Sequence, residues 1–357
     1  MKVAAATVRE QIAAVLTGWG MLPDLVAITA DVMVDTDLAG IDSHGISMLM
    51  YYEDMLGRGE LDLTARPAVV RDGPVTALVD ARAGLGHPAG VLGMQLAVEK
   101  ALALGVGVVA VANSHHFGAT GYYAKLATDR GLLGFATSSG RTVCVVPTRA
   151  AVPRLATSPL AFAAPARRNP PFLLDMSTST VAANKVKVYD FTGEPLPAGW
   201  VLDENGAPVT DAGRALEHIF ERDVGGLAPL GGTPEMASHK GYGLNMMVQI
   251  LAGTLYGGSF APIRERRGDP DDIGHFFLAI DPTAFRPAGA FESDLDEAMD
   301  VLRATPPIDP ARPVLVPGDP ETAARAERLR DGIPLTGALV EKLRGVCERS
   351  GVPFLLG

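Results

Sequence analysis

Two adjacent histidines, His115 and His116, stand in "VANSHHFGATG" between a run of valines and two glycines. Several of the other histidines also lie beside Gly or Ser: His44 in "DSHGIS", His87 in "GLGHPAG", His239 in "ASHKGYG" and His275 in "IGHFFLAIDP". Imidazole exchanges protons near neutral pH, and a well-placed one contributes roughly 10²–10⁴-fold in rate. The double histidine ends a strand-like run, where loops carry chemistry in α/β folds. If both residues stay extended they point to opposite faces, so one metal ion cannot readily take both. No H-E-x-x-H and no Cys/His ligand spacing occurs. Two readings stay open: one imidazole faces a pocket while the other is structural, or both are loop residues.

"DSHGIS" places Asp42, Ser43 and His44 at a helix start. Either Asp42 or Ser43 is its N-cap, or these groups hold the imidazole above Gly45. In "LLDMSTSTVAANKVKVY" an apolar strand runs into Asp175 and four hydroxyls, Ser177, Thr178, Ser179 and Thr180. Such a row holds phosphate or ribose, or caps a helix. Lys240 in "SHKGYGLNMMVQILAGTLYGG" sits beside glycines at the mouth of an apolar helix, where a cation and backbone N–H groups suit a phosphate and a solvated lysine is the alternative. "GLGHPAG" follows a strand and precedes a helix, as in a dinucleotide-binding turn. The acid that such a unit needs at the end of its next strand is missing, because "GVGVVAVAN" ends at Asn113 and Ser114. A Gly-rich turn opening a helix, with Pro88 near its first turn, accounts for the pattern.

The elements that must position these residues follow from periodicity and punctuation. Thr7 and Glu10 have capping-box spacing ahead of "IAAVL". Pro23-Asp24 opens a helix that stops at Gly40, and a third follows "DSHG" and ends near "GRGE". From about Pro67 come short β-rich segments, "VTALVD", "GVGVVAVAN", "LLGFATSS", "PLAFAAP" and "FLLDMSTS", with the amphipathic "PAGVLGMQLAVEKALALG" between the first two. A helix over residues 243–256 and a strand at "GHFFLAIDP" complete this region. Beyond Pro282 come helices in "SDLDEAMDVLRAT" and "ETAARAERLRDG". The expected fold is α/β (α+β), with a helical domain from residues 1–66 and 283–357 flanking a central mixed-sheet domain over residues 67–282.

With 357 residues, 47% of them hydrophobic, and mean hydropathy +0.18, the chain can bury a substantial core and is expected to be globular and oligomeric. A formal charge of −10 argues against nucleic acid or an anionic membrane as partner. Two cysteines, Cys144 and Cys347, provide no disulfide framework. The first residues do not read as a signal peptide, since Arg9, Glu10 and Gln11 interrupt them, and no apolar run reaches about 18 residues. A cytoplasmic protein is expected.

In combination, "DSHGIS", "NSHHFGATGYYA", "PLAFAAP", "DMSTSTVA", "HKGYGL" with "ILAGTLYGG", and "GHFFLAIDP" resemble the malate/L-lactate dehydrogenase family of the second, non-Rossmann type, in family order from residue 42 to 282. The group includes ureidoglycolate dehydrogenase, L-sulfolactate dehydrogenase, diketogulonate reductase and Δ1-piperideine-2-carboxylate reductase. The resemblance implies a homodimer or higher homo-oligomer that uses NADH or NADPH on a small-molecule substrate. It makes His116 and His44 the acid/base candidates, with Ser43 beside His44. Asp175, Ser177 and Ser179 match one cofactor segment; His239, Lys240 and Gly241 match a second. Gly318, in "VPGDPE", belongs to a third. Arg167 and Arg168 either meet a 2′-phosphate or are solvated.

The sequence departs from the family at three places. Met48 stands where an arginine usually holds the substrate carboxylate, "ATSP" replaces "GTNP", and "TSSGR", ending in Arg141, replaces a Thr-Asn pair. Arg141 becomes the candidate for the carboxylate. The resulting expectation is hydride transfer between nicotinamide and C2 of a 2-hydroxy or 2-oxo acid, or a cyclic 2-imino acid. The alternatives are a metal-dependent lyase or hydrolase, or a non-catalytic dinucleotide-binding relative.

Overall fold

A computed structural model describes residues 1–267 and 272–357. In chain order its elements are β1 (Lys2–Val3), α1 (Ala5–Gly18), α2 (Pro23–Leu38), a 3₁₀ turn (Ile46–Met48), α3 (Leu49–Gly57), β2 (Ala68–Asp72), β3 (Thr76–Asp80), α4 (Gly86–Leu104), β4 (Val106–Ser114), α5 (Thr120–Thr128), β5 (Leu133–Ser138), β6 (Leu160–Ala164) and β7 (Phe172–Met176). They continue through α6 (Ala183–Thr192), β8 (Val201–Leu202), α7 (Ala212–Phe220), β9 (Gly226–Leu227), α8 (His239–Leu251), α9 (Ala261–Arg267), β10 (Ile273–Ile280), α10 (Ala290–Arg303), α11 (Asp319–Asp331), β11 (Ile333–Pro334) and α12 (Gly337–Ser350). The fold is mixed α/β.

The chain divides into two compact units. The first holds Met1–Ala136, Ala161–Leu174 and Phe277–Gly357; the second holds Thr137–Leu160 and Asp175–Phe276. This corrects the expected boundary near residues 66 and 283. The physical reason lies in α2, which is apolar around much of its circumference. Its Met33 joins a core with Ile12 and Leu16 of α1, Tyr52 of α3 and Leu343 of α12. Its Val32 joins a second core with Val79, Met94, Val109, Val111 and Phe277 of the sheet and α4. A helix buried on both sides joins the terminal helices and the sheet into one unit. As expected, the N- and C-terminal helices pack together, and β1 pairs antiparallel with β11.

The seven-stranded sheet has the order β2-β3-β4-β10-β5-β6-β7. β2 and β3 are antiparallel; β3 and β4 are parallel, joined by α4 as a crossover. The late strand β10 lies between β4 and β5, so the order is not that of a Rossmann sheet. The second unit has its own core around Val145, Leu155, Val181, Val201, Val209 and Leu227.

One local expectation fails. Helix α1 begins at Ala5 with Ala4 as its N-cap and no side-chain cap, so Thr7 lies inside the helix. Two alanines ahead of Thr7 are strong helix formers and carry the start upstream of the capping-box spacing. Among the described residues no helix is long and apolar enough to cross a membrane.

Candidate active site

Four segments of the first unit bring three histidines and two tyrosines together. The loop after α2 supplies Ser43 and His44, α3 supplies Tyr51 and Tyr52, the first turn of α4 supplies His87, and the loop after β4 supplies His116. The rings of His44 and His116 are stacked, with centroids 5.4 Å apart and planes 29° apart. Ser43 Oγ is 2.7 Å from His44 Nδ1. The Tyr52 hydroxyl lies 2.8 Å from His116 Nδ1 and 3.4 Å from His87 Nε2. The backbone N–H of Gly118 donates to the same His116 Nδ1 at 3.3 Å. The Gly86 N–H donates to the His116 carbonyl at 3.1 Å, tying the loop to the start of α4. Of the double histidine, His115 is buried and His116 half-buried, which favours the reading in which one faces a site and the other supports the fold.

Burial sets the protonation of this cluster. It lowers the pKa of His44 and pushes that of His87 down to about 3, so both imidazoles are neutral at pH 7. Burial also raises the Tyr52 phenol well above its usual value, keeping it an O–H donor. Beneath the loop, the buried carboxyl of Asp37 accepts the Ile46 N–H at 2.8 Å, and burial carries its pKa up to about 7.

The second unit gathers most of the residues matched to cofactor binding. Asp175, half-buried, is the penultimate residue of β7 and leads into the hydroxyl row. The Leu230 backbone joins that row to α8: its N–H donates to the Thr178 carbonyl at 2.9 Å, and its carbonyl accepts the Gly241 N–H at 3.1 Å. Gly241 is required there, since a Cβ would lie 2.2 Å from Leu230 N. One turn further on, the buried Asn245 Nδ2 donates to Thr178 Oγ1 at 2.9 Å and to the Ala156 carbonyl at 2.7 Å. "ATSP", "DMSTST" and the start of α8 therefore form one junction, where His239 and Lys240 are exposed.

Several sequence expectations need correction at this junction. The N–H groups expected to meet a phosphate are already bonded: that of Lys240 to the Ala237 carbonyl at 3.0 Å and that of Gly241 to Leu230. The side chain of Lys240, by contrast, is exposed. The hydroxyl row caps no helix, since α6 begins after Ala182 without a side-chain cap. Thr178 Oγ1 and Thr180 Oγ1 donate to backbone carbonyls, and Ser179 Oγ is shared between Ser177 Oγ at 3.1 Å and the Val181 carbonyl at 2.9 Å.

Other candidates lie apart. Arg168 is ion-paired with Asp300 at 2.7 Å, while Arg167 is exposed. Gly318 adopts φ +101° ahead of α11, next to Pro317, whose carbonyl accepts the Leu173 N–H of β7 at 3.1 Å. Met48 packs against the helical core. Arg141 follows β5 in the second unit and is half-buried. Neither Asp42 nor Ser43 caps a helix; Ser43 binds His44, and Asp42 pairs with Arg328.

Sequence reasoning assigned no role to Tyr52, His87, Asp37 or Asn245. Asp37 carries a usable signal: Ala30, Met33 and Asp37 share one helical face, which puts an acid on a buried stripe. His87 and Tyr52 are 35 residues apart in sequence, and no local pattern links them. Among the described residues no three His, Cys, Asp or Glu side chains come together as a metal site.

A sequence model of the malate/L-lactate dehydrogenase family matches residues 3–344. The malate dehydrogenase of Pyrococcus abyssi is 36% identical over 343 residues, covering 96% of this chain and 92% of that relative. The crystal structure of malate dehydrogenase from Entamoeba histolytica superposes with a TM-score of 0.93 at 30% identity, covering 99% of both chains. That of Δ1-piperideine-2-carboxylate reductase from Pseudomonas syringae gives 0.82 at 29%, covering 97% of this chain and 99% of that one. Fold and relatives together define a dehydrogenase built on a non-Rossmann sheet. The chain belongs to the malate/L-lactate dehydrogenase family, whose chemistry implies a nicotinamide cofactor.

Proposed function

We propose that the protein interconverts a 2-hydroxy acid with its 2-oxo acid, or reduces a cyclic 2-imino acid, using NADH or NADPH. The observation that carries this reading is the stacked His44–His116 pair, flanked by Ser43 and Tyr52, in which burial lowers the pKa of His44. Such a pair can accept or return the proton of a substrate hydroxyl. The names of its relatives, malate dehydrogenase and a cyclic imino acid reductase, point to the same substrate class.

The residues of the second unit fit a nicotinamide nucleotide. Asp175 offers a carboxylate for a ribose diol, and the exposed Lys240 a cation for a phosphate, on two segments joined through Leu230. Gly241 lets α8 approach that junction, and Ser177, Ser179 and His239 lie on the same two segments; Gly318 lies beside the strand that leads into Asp175. When bound, the nicotinamide supplies or takes the hydride at C2. The protein positions the substrate and handles its proton. Met48 cannot pair with a carboxylate, so Arg141 is proposed to bind it.

Assembly as a homodimer or higher homo-oligomer in the cytoplasm belongs to the same reading. The exposed Phe285, Val301 and Ile308 favour a covered surface, which sedimentation tests. The decisive functional experiment is a panel of 2-hydroxy, 2-oxo and 2-imino acids assayed by nicotinamide absorbance with both cofactors, with and without EDTA. Turnover insensitive to EDTA supports the proposal; activity abolished by EDTA and restored by zinc would overturn it in favour of a metal-dependent enzyme.

A further inference from the structure

The two stacked histidines differ in what their Nδ1 atoms face. His44 Nδ1 faces a serine hydroxyl at 2.7 Å, which can donate or accept. Both neutral tautomers and the imidazolium are therefore open to His44. His116 Nδ1 faces the Gly118 N–H at 3.3 Å, which can only donate. That contact favours Nδ1 as an acceptor, which places the proton of neutral His116 on Nε2, but at this length it is a weak constraint by itself. Tyr52, 2.8 Å away, completes the arrangement by turning its O–H to the same lone pair.

His87 extends this order by one step. With its O–H given to His116, Tyr52 can accept, and His87 Nε2 lies 3.4 Å away as a donor. His87 is then an Nε2–H tautomer with a bare Nδ1. That agrees with a second observation: His87 is fully buried and its Nδ1 has no hydrogen-bond partner. An unpaired buried acceptor is tolerated more readily than an unpaired buried N–H. The hydrogen bonds therefore run in one direction, from His87 Nε2–H to Tyr52 O–H to His116 Nδ1. Reversing them would place a proton on His87 Nδ1 with nothing to receive it.

We propose that Tyr52 and His87 are positioning residues that hold His116 as the neutral Nε2–H tautomer, so that His116 donates a hydrogen bond to the substrate's C2 oxygen while His44 exchanges the proton. A nitrogen that already carries hydrogen has no lone pair for the proton of an alcohol. In the oxidising direction the substrate O–H bond breaks and its proton bonds to the free Nε2 of His44, whose Nδ1–H points to Ser43. The carbonyl forms as C2 gives up its hydride, which the oxidised nicotinamide of the proposed function would accept, with the His116 N–H bonded to the developing oxygen. In reduction the imidazolium of His44 returns the proton. This division rests on the reading of the stacked pair as the reacting groups.

The test has two independent parts. Nitrogen-15 NMR of histidine-labelled protein reads the tautomers directly, with His116→Gln used to assign the signal. We expect His116 to show a protonated Nε2 and a bare, hydrogen-bonded Nδ1, and Tyr52→Phe to mix the tautomers. His87→Leu should do so less, because its contact is longer. A protonated Nδ1 on neutral His116 in the native protein would overturn the proposal. In the activity part, Gln at position 116 keeps an N–H donor but cannot exchange protons. We expect His116→Gln to lose about 10-fold or less in kcat and His44→Gln about 10²-fold or more. The reverse order also overturns the proposal. If both variants keep full turnover while the NMR shows the expected tautomers, the functional reading of the pair fails and the positioning of His116 stands.

Discussion

Asp37 makes the stability of the protein depend on pH. Its carboxyl is buried at the end of α2, under the loop that carries His44. It accepts the Ile46 N–H and faces Asp42, which raises its pKa, and Arg328, which lowers it. Burial dominates and carries the pKa from 3.8 to about 7. Because the folded value lies above the unfolded one, the folded state binds the proton more tightly. The contribution to stability is complete below about pH 4 and is lost as pH rises to about 7. A shift of about three units corresponds to about 4 kcal/mol at its limit.

Asp37→Asn removes this dependence. Its carbonyl oxygen can still accept the Ile46 N–H, while its new NH₂ group costs about 1–3 kcal/mol where it finds no acceptor. The variant should therefore be less stable than the native protein at pH 4 and more stable, by roughly 1–3 kcal/mol, at pH 8. Urea or thermal unfolding of both proteins from pH 4 to 8 measures the difference, in which the titration of every other group largely cancels. A difference that does not change with pH would refute the assignment of a buried, proton-binding Asp37.

Gly45→Ala should destabilise the protein by more than about 2 kcal/mol in chemical denaturation, since the added Cβ would lie 1.9 Å from Asp37 Oδ1. Lys240→Ala should weaken nicotinamide nucleotide binding about 10-fold, as read by titration calorimetry, with little change in Tm because the residue is exposed. Arg141→Met should raise KM for an acid substrate by about 10-fold or more, leaving cofactor affinity unchanged; an unchanged KM would remove Arg141 from the site.

Much of this architecture was legible in the sequence because punctuation and periodicity agreed there. Pro23 opens α2 and the helix stops just before Gly40, as read from the sequence; Gly40 adopts a left-handed conformation there. The strands β3, β4, β5, β6, β7 and β10 coincide with apolar runs bounded by turn residues. The missing acid after β4 spoke against a Rossmann unit, and the sheet order agrees. Strand β2 escaped because most of it is exposed and it carries Arg71 and Asp72. Helix α6 escaped because it has almost no amphipathic pattern; its short apolar face is defined by the second unit's core. The motifs pointed to His44 and His116, whose rings the fold stacks together, and to Asp175 and Lys240, which are proposed to meet the cofactor. Tyr52 and His87 were hidden because a hydrogen bond between α3 and α4 depends on how those elements pack, which local spacing does not encode.

The central claim is that a C2 hydride and a separate proton leave the substrate, the latter to the histidine pair. Incubating the protein and oxidised cofactor with 2-hydroxy acids deuterated at C2, then weighing the reduced nicotinamide by mass spectrometry, tests it most directly. The account predicts one deuterium in each reduced nicotinamide and none released to water. Reduced cofactor without deuterium, or deuterium appearing in the solvent, would contradict it.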